Sequence, residues 1–163
     1  MHIILKKNYL YFYNYKIKCS IGKKGLTSKK REGDLKTPKG KFKFTLLLYR
    51  KDKALNFQCK IKKKPISKNM GWCDDPDSKL YNKLIYFPFG YRAEKLYIQK
   101  SIYDFILVLD FNTNPIKKGV GSAIFLHISD KNFKPTKGCI GIRKKDFFEI
   151  LKRISKKTNL IIN

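Results

Sequence analysis

Residues 124–143, which read IFLHISDKNFKPTKGCIGIR, place a histidine at the end of one apolar segment and a cysteine at the start of the next. Residues 123–128 are short, apolar and rich in β-branched and aromatic side chains, which predicts a buried strand that presents His127 near its end. Residues 129–137 contain several turn formers. We therefore expect this loop to bring Cys139 back toward His127.

A cysteine beside a histidine has a recognised chemical use. The imidazole removes the thiol proton and, once charged, stabilises the thiolate, so Cys139 is a candidate nucleophile and His127 its base. Gly138 lacks a Cβ, and the backbone amides of Gly138 and Cys139 are candidate oxyanion donors. The alternative is that Cys139 is a small buried residue and His127 a core histidine, and spacing alone favours this alternative because the pattern is loose.

The order of His127, a loop and then residues 136–140 (TKGCI) resembles the signature of the L,D-transpeptidase catalytic domain, or YkuD-like, family. Enzymes of that family crosslink or trim peptidoglycan through a cysteine acyl-enzyme. The match has departures, because Lys137 stands where many members carry a second histidine and Gly141 where they carry Asn or Arg. The loop after His127 is also shorter than usual.

Three further segments extend the resemblance along nearly the whole chain. Residues 30–42 (KREGDLKTPKGKF) are similar to the family's early turn and strand. Residues 71–82 (GWCDDPDSKLYN) and 121–127 (GSAIFLH) resemble segments of a small bacterial branch of the family that lacks a signal peptide.

The resemblance implies a role for each matched residue. Cys139 is the expected nucleophile, His127 the general base and acid, and the backbone carbonyl of Ile128 the group that orients the imidazole. The N–H of Gly138 is an expected oxyanion donor. The residues expected to contact substrate are Thr136, Lys137, Arg143, Asp34 and Trp72, although Arg143 has an alternative as a solvated surface charge.

The expected substrate is the stem peptide of peptidoglycan, whose diaminopimelate-like residue acylates the cysteine and is then transferred to an amine or to water. No cofactor and no metal are expected. The four cysteines are far apart and form no C-x-x-C pair. Residues 74–77 (DDPD) predict an Asx-turn rather than a calcium loop, because the ligand set is short and contains a proline.

The expected fold class is mostly β, with a C-terminal amphipathic helix at residues 144–155, where apolar residues recur at helical spacing. The family resemblance adds a sandwich-like pair of mixed sheets. Expected strands cover residues 3–5 and 10–17 as an opening hairpin, then 42–48, 57–61, 103–111 and 158–162. Residues 103–111 (YDFILVLDF) are the clearest central strand. We expect one domain over residues 1–163 and a monomer.

Lys and Arg outnumber Asp and Glu by 38 to 12, which leaves a net charge of +26. Such a field attracts polyanions. The lysines are dispersed, however, which favours compositional drift with solvated lysines over a dedicated binding surface. An alternative function therefore remains, a basic module that binds nucleic acid or an anionic envelope polymer on an inactive transpeptidase-like scaffold.

The first residues, MHIILKK, have too short an apolar run for a signal peptide, and no segment is long and apolar enough to predict a membrane span. The family resemblance implies the cell envelope or periplasm as the location, whereas the lack of a predicted signal peptide leaves cytoplasmic residence open.

Overall fold

The computed structural model describes residues 1–53 and 56–163, and strands dominate its regular structure. The strands are β1 (His2–Lys6), β2 (Tyr9–Phe12), β3 (Tyr15–Ser20), β4 (Leu26–Thr27), β5 (Thr37–Pro38), β6 (Gly40–Tyr49), β7 (Lys63–Pro65), β8 (Met70–Cys73), β9 (Leu84–Tyr86), β10 (Ala93–Lys95), β11 (Phe105–Leu109), β12 (Phe125–Ile128), β13 (Ile140–Ile142) and β14 (Asn159–Ile162). The helix α1 spans Lys144–Arg153, and short 3-10 helices span Lys51–Lys53 and Ser101–Tyr103. The mostly β prediction is confirmed.

The main sheet closes on itself. Eight strands follow the order β11, β12, β13, β3, β2, β1, β14 and β6, and β6 pairs with β11 to complete the ring. The ten-residue strand β6 makes closure possible because residues 40–43 pair with β14 while residues 44–49 pair with β11. The predicted sandwich-like pair of sheets is therefore wrong, since the larger sheet is barrel-like. A separate three-stranded sheet has the order β10, β8, β9.

Strands β11 and β12 are buried on both faces, which explains their continuous apolar sequence. The side chains on one face belong to a cluster that we call the inner core. It includes Phe105, Leu107, Leu126 and Ile128 together with apolar residues of the other closing strands. The opposite face contributes to a second group, here the outer cluster, formed by Leu48, Ile66, Met70, Trp72, Leu96, Tyr103, Ile106, Val108 and Phe125. The prediction of a central strand within residues 103–111 is confirmed.

The predicted amphipathic helix is confirmed and ends at Arg153. Its buried residues Phe147, Ile150 and Leu151 join the inner core. Asp146 in the first turn and the basic residues in the last turn interact favourably with the helix dipole. No helix in residues 1–53 and 56–163 combines the length and apolar character that crossing a membrane requires.

Two strand predictions need correction. The opening hairpin turns after β1 as expected, but residues 10–17 are divided by a second turn at Tyr13, whose φ of 48° is left-handed. Alternating tyrosines concealed this turn. Residues 57–61 contain no strand, and the apolar side chain of Phe57 is instead packed from a non-strand segment against Tyr49 and Phe105. The predicted closing strand is confirmed as β14.

Candidate active site

The parallel strands β12 and β13 put His127 and Cys139 on the same side of the sheet. His127 is in register with Gly141, and Cys139 lies two residues before Gly141, so the two side chains project from the same face. That face carries the outer cluster. Cys139 packs against this cluster, and the His127 ring meets the Tyr103 ring edge to face at 5.4 Å between centroids.

The His127 imidazole is buried and held in one orientation. His127 is only 6% exposed, and its Nδ1 lies 2.8 Å from the backbone oxygen of Ile128. Because a carbonyl oxygen can only accept, Nδ1 carries the proton and Nε2 has the free lone pair. Burial lowers the pKa of His127, and the hydrogen bond to Ile128 opposes this shift. The ring is therefore neutral at neutral pH and able to accept a proton.

The Cys139 thiol is also neutral at rest. Its Sγ donates to the backbone oxygen of Ala123 at 3.0 Å and accepts from the Phe125 N–H at 3.4 Å. Burial, and to a smaller extent the negative charge of Glu94, raises the pKa of Cys139 to about 12. In the described residues no hydrogen bond joins Cys139 Sγ to the His127 ring. Two neutral groups favour proton transfer during attack, rather than a preformed thiolate and imidazolium.

A buried asparagine fixes the carbonyl that holds the thiol. Ala123 has a left-handed φ of 50°, and its N–H donates to Asn82 Oδ1 at 3.0 Å. The same oxygen accepts from Trp72 Nε1 at 3.0 Å, while Asn82 Nδ2 donates to the backbone oxygens of residues 111–112. The Asn82 amide is thus fully used, and it maintains the orientation in which the Ala123 carbonyl meets Cys139.

The loop before the cysteine is shaped by its own polar groups. Thr136 Oγ1 accepts from the Gly138 N–H at 3.1 Å and donates to the Cys139 oxygen at 2.6 Å. Gly138 has a φ of 147°, and a Cβ there would lie 2.9 Å from the Lys36 oxygen, so only glycine fits without a shift. Its carbonyl accepts from Thr37 Oγ1 at 2.7 Å.

These contacts change the predicted roles of two residues. The Thr136 hydroxyl is used within the loop, and the Gly138 N–H would have to exchange its bond to Thr136 before it could serve an oxyanion. The Cys139 N–H, in contrast, makes no hydrogen bond within residues 1–53 and 56–163. It is the free donor nearest the thiol.

The other residues predicted to contact substrate are dispersed. The Asp34 carboxylate binds Lys30 Nζ at 2.5 Å and the backbone N–H groups of Arg31 and Lys36, so it stabilises its own loop. Trp72 is 7% exposed and packs beneath the site against Phe125.

Two basic candidates lie on different surfaces. Lys137 is exposed and next to Cys139 in the chain; burial raises the pKa of Glu94 and the charge of Lys137 opposes this rise, which places Lys137 at the rim of the site. Arg143 lies instead over the Phe133 ring and lines a cavity with Lys16 and Lys18, away from the outer cluster. The structure therefore does not bring Arg143 together with the thiol.

Sequence reasoning missed Glu94 and Tyr103. The Tyr103 hydroxyl donates to Glu94 Oε1 at 2.6 Å, and the Tyr103 ring contacts His127. Glu94 enters the site through the pairing of β10 with β8, where it is opposite Trp72. The only local signal was that Glu94 is the single acidic residue between Asp77 and Asp104.

Outside this site, the acidic segment behaves as predicted. Asp75 Oδ1 accepts from the Asp77 N–H at 3.1 Å, which confirms the Asx-turn, and Asp74 forms an ion pair with Arg92. In the described residues, no three His, Cys, Asp or Glu side chains converge as a metal site would require. Cys19, Cys59, Cys73 and Cys139 are free thiols.

Comparison with known proteins agrees with this geometry. No curated protein matches the chain. The family model described as L,D-transpeptidase catalytic domain matches residues 2–162, which is nearly the whole chain. The protein therefore belongs to the L,D-transpeptidase catalytic domain family, YkuD.

Proposed function

We propose that this protein is a cysteine-dependent L,D-transpeptidase that acts on peptidoglycan stem peptides in the cell envelope. The observation that carries the proposal is the position of Cys139 on the same face as a His127 imidazole whose Nδ1 is held by the Ile128 carbonyl at 2.8 Å. That hydrogen bond leaves Nε2 as the proton acceptor, as a general base requires.

In the first step, the Cys139 S–H proton moves to His127 Nε2 as Sγ attacks the carbonyl carbon of a diaminopimelate-like residue. The tetrahedral intermediate collapses when the carbon–nitrogen bond to the terminal D-alanine breaks, and His127 returns the proton to the leaving amine. A thioester remains on Cys139. The thiol must leave the Ala123 carbonyl, its resting acceptor, for this proton transfer.

The oxyanion formed in that step requires donors aimed at the former carbonyl oxygen. The Cys139 N–H supplies the first, because it has no other acceptor in the described residues. Gly138 is the second donor only if its N–H leaves Thr136 Oγ1, a bond of 3.1 Å that is long enough to exchange.

The second step returns the enzyme to its resting state. An amine from another stem attacks the thioester carbonyl, loses a proton to His127 and forms a crosslink, while the thiolate leaves and takes up the proton. With water in place of the amine, the same step trims the stem as an L,D-carboxypeptidase. Both outcomes use the same residues.

The test is intact-protein mass after incubation with a carbapenem, which acylates the nucleophile as a mimic of the stem carbonyl. Wild type is expected to gain one adduct, and Cys139→Ala is expected to gain none. His127→Ala should form the adduct at least about 100-fold more slowly than wild type. An unmodified wild-type protein that is folded by circular dichroism would contradict the proposal.

A second candidate, the basic binding module, is favoured by one observation. Lys16, Lys18, Arg143 and Lys145 line one cavity beside Phe133, together with the single acidic residue Asp146, in a chain of net charge +26. Binding to duplex DNA that weakens steeply with salt, persists in Cys139→Ala and accompanies no carbapenem adduct would support this function over the transpeptidase.

A further inference from the structure

The Glu94 carboxylate lies near the proposed nucleophile, Cys139, and has no cationic partner in the described residues. It is partly buried, and its Oε1 accepts the Tyr103 hydroxyl at 2.6 Å. Tyr103 also contacts the rings of His127 and Phe125, and the Phe125 N–H contacts the Cys139 sulfur. A short chain of contacts thus joins Glu94 to both proposed reacting groups.

Glu94 has no cation beside it although basic residues outnumber acidic ones 38 to 12, and it shares this condition with other acidic residues of the described chain, such as Glu32, Asp104 and Asp146. Asp34, Asp52, Asp74 and Glu149 all form ion pairs. Across residues 1–53 and 56–163, no Lys, Arg or His nitrogen lies within 4 Å of a Glu94 oxygen. Lys137 acts on Glu94 only from a distance. A partly buried negative charge left in this condition is unfavourable for folding.

The same charge opposes ionisation of the nucleophile. Glu94 adds to burial in raising the pKa of Cys139, while Lys30 and the Phe125 N–H oppose it. Burial also raises the pKa of Glu94 itself. Any cation that bound at Glu94 would therefore both pair a partly buried carboxylate and neutralise a charge that disfavours the thiolate.

We propose that Glu94 is the binding group for an ammonium of the acyl donor, and that its unpaired carboxylate keeps Cys139 unreactive until that ammonium arrives. This inference rests on the proposed function, because the diaminopimelate-like residue that carries the scissile carbonyl also carries an amine at its other end. Donor binding then completes an ion pair and activates the thiol in one event. Tyr103 is a positioning residue, which orients the Glu94 carboxylate and packs on the His127 ring.

The sequence of events involves no net gain or loss of protons. The ammonium of the donor pairs with Glu94 without giving up a proton. The Cys139 proton then passes to His127 Nε2 as the sulfur attacks, as in the acylation step above. A donor whose amine is acetylated has no cation for Glu94 and leaves the thiol suppressed.

The first experiment measures alkylation of Cys139 by iodoacetamide at pH 8 in the absence of substrate, with the modified cysteine identified by peptide mapping. Glu94→Gln removes the charge and retains an oxygen for the Tyr103 hydroxyl, so Cys139 should react about three- to tenfold faster than in wild type. Glu94→Asp keeps the charge and should remain slow. Glu149→Gln, on the exposed face of α1, is the matched charge control and should equal wild type.

An equal alkylation rate in wild type and folded Glu94→Gln would overturn the suppressing role. This measurement requires no transpeptidase activity, so it reports on Glu94 even if the carbapenem test fails. Thermal unfolding of each variant checks the fold, and Glu94→Gln should be no less stable than wild type because an unpaired, partly buried charge has been removed.

The second experiment compares tetrapeptide donors that have a free or an acetylated side-chain amine. Acetylation of the donor amine should lower the kcat/KM of wild type about ten- to 100-fold, whereas Glu94→Gln should have nearly the same kcat/KM for both donors. An unchanged preference in Glu94→Gln would overturn the proposed ammonium site. Activity toward neither donor in wild type would instead count against the proposed function.

Discussion

The two faces of strands β11 and β12 have opposite compositions. The inner face presents only hydrocarbon, from residues such as Phe105, Leu107 and Leu126, and α1 packs on it. The outer face presents His127 among aromatic rings, with the thiol of Cys139 at its edge. One pair of strands therefore supports folding on one side and the proposed chemistry on the other. Substitutions on the two faces should have separable effects.

The largest effect is expected from the inner face. Phe105 is fully buried and contacts Phe57, Phe147 and Phe148, so Phe105→Ala should lower the free energy of unfolding by about 3–5 kcal/mol. Urea unfolding measures this loss. The carbapenem acylation rate of the molecules that remain folded should equal that of wild type, and a matching loss of rate would contradict the separation of the faces.

A smaller loss of stability, accompanied by a loss of rate, is expected from the outer face. Asn82→Ala leaves the Ala123 N–H and Trp72 Nε1 without their acceptor, and should reduce the free energy of unfolding by about 2–4 kcal/mol. Acylation of the folded fraction should slow about tenfold or more, because the Ala123 carbonyl is no longer held. Asn82→Asp retains the acceptor oxygen and should slow acylation less.

The pH dependence of acylation tests the protonation states on the outer face. Burial lowers the pKa of His127 from 6.5, so the imidazole remains a neutral base as the pH falls through 6.5. Wild-type acylation should therefore hold its rate at pH 6.5 and decline only below it, about tenfold per pH unit once the ring is protonated. A pH–rate profile whose acid midpoint lies above 6.5 would show that His127 ionises more readily than its burial implies.

The smallest effect is expected away from both faces. Glu149→Gln removes two ion pairs on α1, to Lys152 and Arg153, whose side chains are partly solvated. Such pairs contribute little, so the free energy of unfolding should change by less than about 1 kcal/mol and the acylation rate should not change. A larger change in either quantity would mean that α1 is coupled to the outer face.

Sequence alone predicted the elements whose pattern is local. The apolar run within residues 103–111 predicts a central strand, and the helical spacing of Phe147, Ile150 and Leu151 predicts α1. The closure of the sheet was not predictable in the same way. It depends on β6 pairing with both β11 and β14, which are distant in sequence and carry no local sign of their partner.

The site shows the same limit. His127 and Cys139 could be singled out because a short loop joins them and a family signature includes both. Glu94 could not, since only the pairing of β10 with β8 brings it near the thiol. Asp34 and Thr136 were predicted to contact substrate, yet their oxygens are already used by neighbouring backbone groups, and a sequence does not reveal which polar atoms are satisfied within a loop.

The closed ring also bears on aggregation. Strand β7 continues the main sheet beyond the eight closing strands, and its sequence is Lys63-Lys64-Pro65. A strand from another molecule that approached this edge would meet two positive charges and a residue without an N–H donor. In the described residues, closure leaves the main sheet with one edge strand, which is short and charged. The main sheet is therefore protected against strand-to-strand polymerisation at high concentration.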